Sequence, residues 1–214
     1  MKLKHDELIN QLDNSGQSPM HLSLASGTCL ITKFLIFNYD RELRLSEDMN
    51  GNTEFHKWVS HGCKDCLIQL ITLVAKKGKE SYYFGQKNKE GYNPLHKAIF
   101  DKKYISFKLL LDHFEFDVFE LTEENNNALH LACISGDDMI FNHLLTYKFD
   151  LNLLNLNLFS CLTLSIKHKQ YHISEKLLKK KVKVSIKDVK ILEVVLIILL
   201  YVYIKVRAQT SLYM

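Results

Sequence analysis

The chain has 214 residues, 47% hydrophobic and 24% charged, which excludes a disordered chain and fits one compact domain or one elongated repeat array. Eight Gly and two Pro give too little punctuation for a turn-rich β sandwich or barrel, so the expected class is all-α. The net charge of +4 is too small to imply nucleic-acid binding, and it is local: residues 167–190 hold nine Lys against Glu175 and Asp188, a net +7, leaving −3 for the remainder.

In chain order, Lys2 and Lys4 run into Asp6 and Glu7 instead of an apolar stretch, so no ordinary secretory leader is expected. Residues 1–12 read as an N-terminal cap. Beyond them the chain repeats itself. Ser18-Pro19-Met20-His21, Thr53-Glu54-Phe55-His56, Asn93-Pro94-Leu95-His96 and Asn127-Ala128-Leu129-His130 share one pattern, their histidines 35, 40 and 34 residues apart. Ser160-Cys161-Leu162-Thr163 keeps the frame and loses the His.

The pattern extends beyond the tetrapeptide. Gly16, Gly51 and Gly91 stand five residues before the His, and Gly27, Gly62 and Gly136 six residues after it, marking a turn before one helix and a stop between two. Each unit predicts a short helix opened by a Ser, Thr or Asn cap, with Pro19 or Pro94 at its first position, then a second helix. The apolar stripes predicted for the second helices are Leu30, Phe34 and Leu35; Leu67, Leu70 and Ile71; Phe107, Leu110 and Leu111; Phe141, Leu144 and Leu145; Leu177 and Leu178.

This frame resembles the ankyrin-repeat family, whose unit of about 33 residues carries Thr-Pro-Leu-His-x-Ala. Gly91-Tyr92-Asn93-Pro94-Leu95-His96-Lys97-Ala98 and Asn127-Ala128-Leu129-His130-Leu131-Ala132 match best. The resemblance implies a solenoid of helix-turn-helix units joined by β-hairpin-like turns: about five repeats over residues 13–188, anchored near 16–21, 51–56, 91–96, 125–130 and 158–163. It also implies that His21, His56, His96 and His130 are structural anchors, bonded to the backbone of adjoining turns. Three departures stand out. Trp58 replaces a small residue and needs either a pocket or a displaced neighbour, Lys102 and Lys169 replace the inter-helix glycine, and Leu158 and Thr163 break the fifth copy.

The five cysteines, Cys29, Cys63, Cys66, Cys133 and Cys161, lack paired spacing, which suits a reducing, intracellular compartment. Cys63-Lys64-Asp65-Cys66 with His61 has metal-like spacing, but no second pair completes a four-ligand set, so Cys66 reads as a small hydrophobe. No phosphate loop, nucleophile elbow or zinc-protease helix occurs. The expectation is therefore a non-enzyme, with no catalytic residue, metal site or cofactor.

Three features offer partner contacts. The long spacing after His56 places about seven extra residues in 76–89, where Tyr82, Tyr83 and Phe84 either anchor a partner or fold back on the second repeat. The acidic stretch 112–124, with Asp112, Glu115, Asp117, Glu120, Glu123 and Glu124, either meets a basic partner or is a solvated face. The tail 189–214 holds an apolar run in 191–204 that is short for a membrane span. It serves as a cap on the last repeat, as a membrane contact helped by the adjacent lysines, or as the end of a truncated array.

The function implied by the resemblance is protein–protein interaction through a concave face, as in ankyrin proteins that pathogens direct at host proteins. Two alternatives accompany it. One is an inhibitor-of-NF-κB-like binder of a Rel transcription factor, for which residues 51–56 and 87–91 speak. The other is a membrane-associated adaptor anchored by the tail.

Overall fold

A computed structural model of the chain describes residues 8–39, 41, 43–78, 85–114, 116–180 and 182–184. These residues are helical, without a strand among them. They fall in two compact units, 1–117 and 118–214.

The first unit contains α1 (Pro19–Ala25), α2 (Cys29–Tyr39), α3 (Glu54–Val59), α4 (Lys64–Lys76), α5 (Pro94–Phe100) and α6 (Tyr104–His113). The short helices α1, α3 and α5 pack side by side, with α2, α4 and α6 behind them, α2 also lying against α4. The second unit contains α7 (Ala128–Ser135), α8 (Asp138–Leu144), α9 (Cys161–Lys167) and α10 (Tyr171–Lys179). Here α7 packs on α9, α8 on α7 and α10 on α9.

A six- to eight-residue helix is marginal alone, because nucleation costs more than so few hydrogen bonds return. Local caps and burial supply the difference. Asn93 Oδ1 accepts from His96 N at 2.8 Å and Asn127 Oδ1 from His130 N at 2.9 Å. Ser18 and Ser160 hydroxyls accept from His21 N and Thr163 N, each at 3.3 Å. Pro19 and Pro94 open α1 and α5, where their missing N–H has no intrahelical partner to lose.

The turns ahead of these helices are built alike. Asp48 Oδ1 accepts from Asn50 N and Asn52 N, and Asn88 Oδ1 from Glu90 N and Tyr92 N. In the second unit Asn155 Oδ1 accepts from Asn157 N and Phe159 N. One side-chain oxygen thus collects two turn amides that would otherwise lack acceptors. Adjacent turns also bond one another: Met49 N donates to Ser15 O, Lys89 N to Asn50 O, and Leu156 N to Glu124 O.

Each turn and each inter-helix stop passes through a left-handed residue. Where glycine is missing the backbone is unchanged: Lys102, Asn125, Leu158 and Lys169 have φ of 58°, 57°, 62° and 60°, against 71° at Gly51 and 63° at Gly62. Asn tolerates this region, whereas Leu and Lys bring Cβ against the carbonyl. Glycine at Lys102 or at Leu158 is therefore expected to raise stability by about 0.5–1 kcal/mol, checked by the urea midpoint.

The core is filled by complementary volumes between paired helices. Ser23 Oγ meets Thr32 Oγ1 at 3.0 Å, and Ser165 Oγ meets Ser174 Oγ at 2.8 Å. At the equivalent pairs a small residue stands with a large one, Ala98 with Phe107 and Ala132 with Phe141, all fully buried. Trp58, at that same position in α3, is also fully buried, and its indole N–H is satisfied by Cys63 O at 2.8 Å. Phenylalanine at Trp58 removes this bond, leaving Leu67 N as the donor to Cys63 O, and leaves part of the indole's buried volume empty; it is expected to cost about 1–2 kcal/mol, measured by thermal unfolding.

One predicted stripe is corrected. Leu30 and Phe34 point to solvent, 84% and 57% exposed, while α2 buries Thr32, Leu35 and Ile36. Counted from the left-handed stop, the inward positions are the fifth and eighth: Thr32 and Leu35, Leu67 and Leu70, Phe107 and Leu110, Phe141 and Leu144, Ser174 and Leu177. Phe34 lies one residue before Leu35 and Leu30 two before Thr32, off that face.

Candidate functional site

The helix starts of α2 and α4 bring three cysteines together. Cys29 is the first residue of α2, Cys63 caps α4, and Cys66 is the third residue of α4. Their sulfurs all lie within 4.8 Å of one another, and Cys29 Sγ is in contact with both other sulfurs. Cys29 and Cys63 are half-buried and Cys66 is buried.

The surrounding backbone is firmly held. Trp58 O accepts from His61 N and Gly62 N, while its indole binds Cys63 O, so one buried residue ties both ends of the α3–α4 turn. His61, exposed, lies over Gly27, where a Cβ would fall 2.5 Å from its Nδ1. On the outer edge Lys33 Nζ bonds Asp65 Oδ2 at 3.3 Å, joining the two helices. Beside this pair Leu30, Lys33, Phe34, Phe37, Asn38 and Gln69 line an open hollow of about 400 Å³.

Sequence spacing singles out His61, Cys63 and Cys66 but not Cys29, which is 34 residues before Cys63. The available signal was the repeat period. With Gly27 and Gly62 as origins, Cys29 sits two residues past the first stop, and Cys63 and Cys66 one and four past the next. Successive helices stacked in register put those offsets side by side, with a Cα separation of 5.5 Å between Cys29 and Cys66.

The motif histidines make a different arrangement. His21 Nδ1 accepts from Ser18 N, His56 Nδ1 from Thr53 N, and His130 Nδ1 from Asn127 N, at 3.2, 3.2 and 3.3 Å. An amide N–H can only donate, so the ring proton is on Nε2. From there His21 donates to Asn52 O at 3.2 Å, His56 to Tyr92 O at 2.7 Å and His130 to Leu153 O at 3.0 Å. His96 is likewise buried, its backbone N–H held by Asn93. The imidazoles of His21, His56 and His130 thus each serve their own cap and the turn that follows.

Burial sets the charge of these groups. It holds His21 below the usual range and pushes His56 down to about 4, against the pull of the Asn52 and Tyr92 carbonyls. Glu54, fully buried at the start of α3, is pushed up to about 8 by burial, against the Ser46 N–H on its Oε1 at 3.0 Å. Its Oε2 has no hydrogen-bond partner. In the second unit the buried Cys161 thiol is pulled down chiefly by a hydrogen bond from Cys133.

Of the partner-contact candidates, Tyr82, Tyr83, Phe84 and Glu115 lie outside the described residues, as does the tail 189–214. Asp117 is exposed in the first unit. In the second, Glu123 and Glu124 are exposed and Glu120 is half-exposed. Glu124 accepts from Asn126 Nδ2 at 3.1 Å, so part of that acidic stretch shapes its own turn. Among the described residues no helix is long and apolar enough to cross a membrane. No protein-family model matches the chain, and no curated protein matches it.

Proposed function

We propose that the chain is a non-catalytic ankyrin-repeat protein that binds another protein through its turn tips and the adjoining first helices. The observation that carries this reading is the recurrence of one backbone unit through ten left-handed positions, four of them held by residues other than glycine. A frame kept against local preference leaves the exposed tips free to vary, and in repeat proteins such tips make the contacts. In the first unit these tips are Asn14 and Ser15, Met49 and Asn50, and Lys89 and Glu90, tied into a row by the bonds between turns.

The test is affinity capture with the intact chain, followed by binding of the recovered partner to a variant carrying alanine at Asn50, Lys89 and Glu90. The expected result is at least a tenfold loss of affinity with unchanged helicity, since a few residues carry most interface energy. Unchanged binding overturns the assignment to the turn tips. A Rel homology domain is the first defined partner to try, because residues 51–56 and 87–91 resemble the corresponding stretch of inhibitor-of-NF-κB-like ankyrin proteins.

A further inference from the structure

We propose that Cys29, Cys63 and Cys66 form a thiolate site for Zn(II), with the fourth coordination position left to water. The first support is convergence. Two helix starts aim three sulfurs at one point, within 4.8 Å of each other, and a tetrahedral ion with Zn–S bonds of about 2.3 Å spaces its sulfurs about 3.8 Å apart. Packing does not require such convergence, because Cys29 and Cys63 are only half-buried and gain little by turning their sulfurs together.

Valence is the second support. Cys29 Sγ adjoins two sulfurs and can form one disulfide, which leaves a third thiol over. A metal ion uses all three. Soft thiolates with tetrahedral geometry select Zn(II) over the hard cations that prefer oxygen.

Charge is the third. Three thiolates and Zn(II) sum to −1, and the positive ends of α2 and α4, 11 and 13 residues long, lie at this charge. Asp65, which lies between Cys63 and Cys66 in the sequence, is paired with Lys33. Trp58 fixes the Cys63 carbonyl, so the cap residue is positioned before an ion arrives. Among the described residues no fourth His, Cys, Asp or Glu joins the cluster, which is why the fourth position falls to solvent.

The experiment is a Co(II) titration of the intact, reduced, chelator-stripped chain under anaerobic conditions, followed by Zn(II) displacement. The expected result is a thiolate-to-metal charge-transfer band saturating at one Co(II) per chain and abolished by Zn(II), with Cys29, Cys63 and Cys66 then protected from alkylation. Cys29→Ser, at a half-buried helix start, is expected to lose about a third of the band and at least ~10-fold in affinity while keeping its circular dichroism. The double variant Cys133→Ser, Cys161→Ser keeps the wild-type band. Absence of the band in the reduced wild-type chain, an undiminished band in Cys29→Ser, or its loss in the double variant overturns the site.

Discussion

Alanine at His56 is expected to lower the unfolding free energy by about 3–4 kcal/mol, read as a shift in urea midpoint at constant m-value. The ring is buried and both its nitrogens are used. Removing it strands the Thr53 N–H, which costs about 1–3 kcal/mol when buried without a partner, takes one of two donors from the Tyr92 carbonyl, which keeps Asn88 N at 2.9 Å, and opens a cavity where a large buried ring stood. Thr163 occupies the corresponding position in the fifth copy, half-exposed, with one hydroxyl contact to Ser160 at 3.2 Å. Thr163→Ala is expected to cost under about 1 kcal/mol. Equal losses at the two positions would contradict the role given to the imidazole.

Glutamine at Glu54 is expected to stabilise the protein by about 2–4 kcal/mol at pH 8.5 and to change little at pH 4. The direction follows from linkage. The folded carboxyl holds its proton up to about 8, whereas the ordinary value is 4.5. The stability that protonation provides is complete below 4.5 and is lost as pH rises towards 8, where the native state must bury a charge or release it. His56 acts at the acid end. Its folded value near 4, below the ordinary 6.5, gives stability that is full above 6.5 and lost as pH falls through 4.

The two slopes oppose each other between 4.5 and 6.5, so their summed contribution is flat there and declines above 6.5. Glu54→Gln removes the alkaline decline and leaves the acid one, which chemical denaturation at a series of pH values resolves. A variant that still loses stability between pH 6.5 and 8 would contradict the burial argument for Glu54. The local sequence shows how unusual this carboxyl is, since it occupies the position where α1 and α5 begin with Pro19 and Pro94.

Much of the local structure was legible because it is encoded by residues close in sequence. The Asn and Ser caps, the prolines at helix starts and the glycines at stops each act within four residues, so the all-α class and the starts of α1 and α5 could be read directly. The facing of α2 could not. Leu30 and Phe34 are four apart and satisfy helical periodicity as well as Thr32 and Leu35 do. Apolar spacing cannot separate two stripes that differ by one or two residues; the count from Gly27 does, because the left-handed stop fixes where the helix enters the layer.

The same limit hid the cysteine cluster. A motif repeated once per unit predicts a ladder in which equivalent residues stay one helix spacing apart, and the histidines follow that pattern of separate partners. Cysteines at unequal offsets are not equivalent, so stacking can close the gap between them. Composition, caps and period by themselves determined that this chain is helical, where its helices begin and which residues turn the backbone, since those depend on nearest neighbours along the chain. Only the tertiary structure decided which face of α2 is buried, how deeply Glu54 is desolvated and that Cys29 meets Cys63 and Cys66, because each depends on what an adjacent unit places within a few ångströms.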